Sequence, residues 1–535
     1  MLRSRLLLFT GALTATMVLA VAGAPPALGK SGAPAFRTSC WYSSMLCTEI
    51  ANPQDFWGNW YVGHDEPSVL FYSDRPGSGN QMTYQVTIPK EPAGPYSSDK
   101  SFDFELNPAF WFGVAMCDTQ SYPETEKSCP PDTDANAIDV RKSTKHPGTA
   151  YEELQFYPPG WVKQFTGSSC DPTRWCAALN IDSLSENPIT GQTLNASCQG
   201  KLLGGIEYVN FAYLTLNGKP QGPPDPLHFD FAKSGNPGPN VLYMNQGDHL
   251  TVSLHDSPEG LVTTVADHDT GQTGSMTASA ENGFGQIKFE PNGDKCQEIP
   301  YTFHPAYSTS QPTTTVPWAA HTYNVAFDDE IGHFDWCTRV GRVTGNCEGL
   351  EGHVGDQEPA DGDDAGCLDG ELALLYKVTG CTNANDPGFD GASYLRDWPD
   401  GSANHPTPIL FSSPTTVGGA RYPQVALEAD LPRIEAADLG GKCNRTTGAG
   451  CTNPPPTDDG QPAQFYPYYS TTSNGPGGSC MWGIGATLPN TTNDFGGSSA
   501  QYGPLYKSYY YELGEGGHTT ARYNNFQRVL PNNPC

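Results

Sequence analysis

Gly247-Asp248-His249-Leu250-Thr251-Val252-Ser253-Leu254, with residues 261–278 after it, is the stretch whose reading decides the fold. Leu250, Val252 and Leu254 alternate with Thr251 and Ser253, the period of two that sets one side of a strand into a core. The second run alternates likewise and turns at Asp267-His268-Asp269-Thr270-Gly271-Gln272, so the pair predicts antiparallel strands. Further on, residues 318–327 set His321, Tyr323, Val325 and Phe327 against Thr322, Asn324 and Ala326. They run into an acidic cluster, Asp328-Asp329-Glu330, then Asp335. A run of acids at a strand end is a place for acid–base chemistry.

Outward from this stretch the same texture continues. In 535 residues, 59 Gly and 48 Pro break the chain into short runs, and no long helical periodicity survives them. The class is all-β, an antiparallel β-sandwich with large loop insertions. Residues 69–72 and 81–88 read as a hairpin around 74–80; further strands are expected at 102–114, 206–215, 408–411 and 424–429. Residues 151–157 are the most telling, because Tyr151, Glu153, Gln155 and Tyr157 share one face while Glu152, Leu154 and Phe156 lie on the other. A face of Tyr, Glu, Gln and Tyr is poor core and suits a binding cleft. The 10 Trp, 26 Tyr and 23 Phe provide large areas to bury and argue against disorder.

Arg3 and Arg5 precede an apolar run over residues 6–23 with small residues around Ala22-Gly23-Ala24, the pattern of a secretory signal over 1–29. No second run of membrane length follows, so the expectation is a secreted, extracellular protein with no membrane contact after signal cleavage. All 16 cysteines lie beyond the signal, from Cys40 to Cys535, and no Cys-x-x-Cys occurs; disulfides in an oxidising compartment are the reading. Spacings such as Cys40/Cys47, Cys117/Cys129, Cys170/Cys176, Cys337/Cys347, Cys367/Cys381 and Cys443/Cys451 suggest short staples. The formal charge is −29 before the signal's two arginines are removed, which excludes nucleic acid as a partner.

The expected organisation is a β-sandwich domain over 30–340, an acidic Gly-rich insertion or boundary over 341–405, and a cysteine-tied region over 406–535 that completes the same sandwich. Within the insertion, Asp361, Asp363 and Asp369 take the first, third and ninth positions of a calcium-loop template, with Gly366 at the sixth. Ala365 and Leu372 break the template at its fifth and twelfth positions. No cofactor is required by the sequence, and Ca2+ is the one metal these acids suit. Asn195, Asn444 and Asn490 head glycosylation sequons.

Gly-x-Ser-x-Gly, His-Glu-x-x-His and phosphate-loop signatures are absent, which leaves carboxylates and amides as the candidate chemistry. The order Trp111-Phe112-Gly113-Val114, Gln120, Glu153-Leu154-Gln155-Phe156-Tyr157-Pro158, Gly247-Asp248 and Asp269-Thr270-Gly271-Gln272 resembles the eqolisin family of glutamic peptidases. The resemblance covers residues 111–158 and 245–337. It implies a jelly-roll, concanavalin-like sandwich and an acid-active endopeptidase in which a Glu/Gln pair activates water. Carried over by position, Gln120 is the amide and Glu330 the nearest acid, although Asn324 or Val325 stands where the family has its Glu. Tyr151, Glu153, Gln155, Tyr157, His321 and Tyr323 would then bind substrate, an extracellular polypeptide. Two other readings stay open. One is a glycan-active enzyme pairing Glu153 or Glu207 with Glu330, at about 5 to 9.5 Å depending on stereochemistry. The other is a lectin-like or wall-associated binding protein without catalysis.

Overall fold

The computed structural model describes residues 68–90, 110–120, 129–132, 148–159, 170–184, 193–202, 207–305, 318–322, 335–337, 351–353, 407–431, 469–484, 488–495, 506–508 and 521–535, a few single positions inside these stretches apart. Among them the only helices are short 3-10 turns such as Ala280–Asn282, and none is long and apolar enough to cross a membrane. The strands form an 11-stranded and an 8-stranded sheet, with a separate two-stranded ribbon. The pairings within both large sheets are antiparallel.

The strands predicted from residues 247–278 are present as a three-stranded meander, His249–His255, Val262–Asp267 and Thr273–Thr277. Val252 stands opposite Val265, and Thr264 opposite Ser275 across the predicted turn, where Gly271 takes φ +71°. Leu250, Val252 and Leu254 are buried, as their alternation requires. This meander forms one end of the 8-stranded sheet, whose order continues inward through Gln81–Thr87 and Ile409–Phe411.

The larger sheet sets Gln424–Leu431, Ser68–Tyr72, Trp318–Thr322, Phe110–Asp118, Gly148–Tyr157, Cys176–Leu184 and Glu207–Tyr213 side by side in that order. The predicted hairpin of residues 69–72 with 81–88 is therefore not formed: its two strands lie in different sheets. Residues 73–80 carry the chain across. Ser78 Oγ donates to Ser73 Oγ at 2.8 Å, Asn80 N donates to Gly77 O at 3.0 Å, and the Tyr422 hydroxyl donates to Ser78 O. Alternation records only that both strands bury one face, which holds equally for a hairpin and for an arch between sheets.

Aromatic side chains join the two sheets through one core. Tyr84 of the smaller sheet lies 4.2 Å, centroid to centroid, from Phe112 of the larger, and Phe411 reaches Phe112 at 5.5 Å and Phe71 at 6.3 Å. Phe110 stacks on Phe156 at 4.6 Å and touches Trp175 at 5.8 Å. Each fully buried ring of this kind stabilises the fold by about 1.5–3 kcal/mol relative to exposure. Buried polar ties sit among the loops: His304 Nδ1 and Asp256 Oδ1 are 2.7 Å apart, and Asp256 Oδ2 accepts Asp132 N at 2.9 Å.

Four disulfides lie among the described residues. Cys117–Cys129 and Cys170–Cys176 are the short staples their spacing predicts. Cys198–Cys296 and Cys480–Cys535 close long loops that spacing did not indicate. The other predicted staples involve residues outside the described set.

Candidate functional site

Along Gly148–Tyr157 the strand period sends Ala150, Glu152, Leu154 and Phe156 inward and Tyr151, Glu153, Gln155 and Tyr157 to the opposite face. These last four are those expected to bind substrate, and Glu153, Gln155 and Tyr157 are hydrogen-bonded in one row. Gln155 Nε2 donates to Glu153 Oε2 at 2.5 Å, and the Tyr157 hydroxyl donates to Gln155 Oε1. Register then brings in residues from both neighbouring strands. Trp111 stands beside Gln155 on one side, while Asn180 stands beside Glu153 and Asp182 beside Tyr151 on the other. Asn180 Nδ2 donates to Asp182 Oδ2 at 3.0 Å, and Trp111 meets Tyr151 edge to face at 5.4 Å.

Gly113, opposite Glu153, makes this crowding feasible. A Cβ there would lie 2.5 Å from Glu152 O, 2.6 Å from Trp111 Cζ3 and 2.7 Å from Tyr151 Cε1, so only glycine lets both rings close over the strand. Tyr151, Gln155, Tyr157 and Asn180 are buried, whereas Glu153 and Asp182 are half-buried. Burial, with the charges of Tyr213, Glu153 and Asp182 nearby, holds the Tyr157 hydroxyl well above its ordinary pKa. It is accordingly a neutral donor to the Gln155 carbonyl. From Tyr157 a chain of rings leads outward: Phe211 at 6.1 Å, Phe229 at 5.8 Å from Phe211, and Phe231 at 5.0 Å from Phe229, the last 46% exposed.

On the inward face Glu152 is fully buried, with both carboxylate oxygens lacking a hydrogen-bond partner, as does the Tyr84 hydroxyl. Burial and then the neighbouring Glu153 push the Glu152 carboxyl well above the usual range. A second acid pair joins the two-stranded ribbon to a loop: Glu298, in the strand Glu298–Pro300, is pushed up to about 9 by burial and by Asp225, whose Oδ1 accepts His228 N at 2.7 Å. Asp225, His228 and Glu298 form one of two side-chain groups among the described residues close enough to hold a metal. Asp248, Asp267 and Asp269 form the other.

The other sequence-derived candidates fall elsewhere. Gln120 lies in the turn after Phe110–Asp118 and fastens it: its Oε1 accepts Phe289 N at 3.1 Å and its Nε2 donates to Thr119 O at 3.2 Å. His321 lies in Trp318–Thr322, opposite Trp111 and Ser68. Glu330, Tyr323, Asp361, Asp363 and Asp369 are outside the described residues. Sequence reasoning missed Asn180 and Asp182, although Leu179 and Ile181 alternate with them over Cys176–Leu184 and offered the signal. No family model, no curated protein and no solved structure matches this chain.

Proposed function

We propose that this chain is a secreted, acid-active hydrolase of glutamic-peptidase type, built on a jelly-roll, concanavalin-like sandwich, and that Glu153 and Gln155 are its working pair. One observation carries the reading: a half-buried carboxylate and an amide, two residues apart on one strand face, joined at 2.5 Å. This assignment replaces the expected Gln120, whose amide secures a turn. Disulfides and the absence of a membrane-crossing helix among the described residues fit an exported protein.

In the proposed reaction Glu153 takes a proton from a water molecule as the water oxygen bonds to the substrate carbonyl carbon. The Gln155 amide has two N–H groups; one orients Glu153 and the other stabilises the developing oxyanion. Tyr157, donating to the Gln155 carbonyl, fixes which end of the amide faces Glu153. Glu153 then returns the proton to the leaving nitrogen as the C–N bond breaks, releasing acid and amine.

Denatured casein incubated with the full-length secreted protein at about pH 3 to 7 tests this. Glu153→Gln is expected to lower the rate at least about 100-fold and Gln155→Ala by about 100-fold, with Gln120→Ala sparing the rate per folded molecule. An unchanged rate in Glu153→Gln ends the assignment. A second reading rests on Asp182, diagonal to Glu153 on the adjacent strand and bordered by the Tyr151 ring: two carboxylates so placed suit a glycosidic bond. Turnover of a polysaccharide panel, lost in Asp182→Asn as well as Glu153→Gln, would select it over the peptidase.

A further inference from the structure

Two chain segments converge where the meander turns, and between them they bring three aspartates. Asp248 closes the turn before His249–His255, Asp267 ends Val262–Asp267, and Asp269 lies in the loop beyond. Each has an oxygen held by nearby donors. Asp248 Oδ2 accepts Asn245 N at 2.6 Å and Asn245 Nδ2 at 3.1 Å; Asp269 Oδ2 accepts His249 N at 2.7 Å and lies 3.0 Å from His249 Nδ1. Asp267 Oδ1 accepts Asp269 N at 2.9 Å and Thr270 N at 3.0 Å. Its other oxygen, Oδ2, meets no N–H or O–H donor, although Asp267 is only 2% exposed, and the Asp267 carboxyl packs against that of Asp248.

That oxygen is buried without a donor, which destabilises by about 1–3 kcal/mol unless a cation or a shared proton meets it. The three carboxylates each place an oxygen within 4.8 Å of the others. An ion about 2.4 Å from each would span that separation, the distance that calcium prefers. The donors are all oxygens, which selects a hard cation, and the exposed side of Asp269 leaves room for the waters that complete a calcium shell. Lys90, whose side chain crosses Gly247 beside the cluster, forms no ion pair with any of the three.

We propose that Asp248, Asp267 and Asp269 bind one calcium ion at the turn of the His249–His255, Val262–Asp267 and Thr273–Thr277 meander. The ion ties the 245–248 turn to the 267–272 loop and so locks that end of the smaller sheet. Ile88 N donates to Asp248 O at 3.0 Å and Gly247 N to Ile88 O at 3.1 Å, so the lock extends to the neighbouring strand. The inference stands apart from the hydrolase reading, since its readout is stability.

The test is thermal unfolding of the full-length chain near neutral pH with millimolar calcium against chelator, alongside titration calorimetry with calcium chloride. Wild type is expected to gain about 2 °C or more in Tm and to bind calcium. Asp267→Asn and the exposed Asp269→Asn should both lose most of that gain, while Asp363→Asn, in the acidic sequence 361–369, keeps it. Asp269→Asn guards against a folding failure in Asp267→Asn. No gain in wild type, a full gain in Asp269→Asn, or a gain lost only in Asp363→Asn overturns the site.

Discussion

Glu152 places a carboxyl where no donor reaches it. Buried and unpaired, it is pushed towards its neutral form, with the adjacent Glu153 reinforcing the effect of burial. Glu152→Gln removes the titration and keeps the shape. The variant is expected to lose less stability than wild type between about pH 5 and pH 8 in urea unfolding, and an equal loss would contradict the account. Asn195 shows how a residue misleads when read alone. Its sequon suggests a glycan, yet the side chain is fully buried: Nδ2 donates to Lys295 O at 2.9 Å, and Oδ1 accepts Ser197 N at 2.9 Å. Asn490, by contrast, is exposed at φ +57°. In a glycosylating host the folded product should carry sugar at Asn490 and not at Asn195, as peptide mass spectrometry would reveal. Three residues define a sequon; burial depends on chain 100 positions away. The row from Tyr151 to Tyr157, in contrast, was legible because the period of a strand places its side chains without reference to anything distant.

At the scale of elements, closure of long loops distinguishes the disulfides. Cys198–Cys296 spans 98 residues and Cys170–Cys176 spans 6. Restricting the unfolded chain makes the first worth about 4.7 kcal/mol and the second about 2 kcal/mol in the loop-entropy model. Paired Cys→Ala variants in chemical unfolding should show that order; a larger loss from the short staple would place the effect in native packing instead. Spacing revealed the short bridges and hid the long ones, since a partner far along the chain leaves no local trace. The arch at 73–80 was hidden for a related reason. Gly77, at φ +82°, marks a turn in either geometry, and only the distant partners Leu427 and Leu254, opposite Val69 and Met82, decide between them. At Gly113, substitution by Ala should cost about 1–3 kcal/mol, because the obstructing atoms include the Glu152 backbone.

For the whole molecule, pH acts through two acids in the same direction. Glu152 and Glu298 are both raised, chiefly by burial, with neighbouring acids adding to it. An acid raised on folding contributes its stability fully below its unfolded value and loses it as pH climbs through the folded one. For Glu298 that window runs from about 4.5 to about 9. Asp230 and Asp269 are lowered and oppose this, but both are solvent-exposed and count for little. Maximum stability is therefore expected on the acid side, and a Tm that rises steadily from about pH 5 to 8 would refute it. Such a profile fits the acidic working range proposed for Glu153.

The interleaving of the two sheets carries a further consequence. Val69 waits for Leu427, and Val86 for Phe411, so neither sheet is finished until distant parts of the chain have been synthesised. A nascent chain of this kind has bare strand edges for most of its time on the ribosome, and long-range pairing is slow. Delivery across a membrane in an extended state, with closure only on the far side, would turn that delay from a hazard into a requirement of transport.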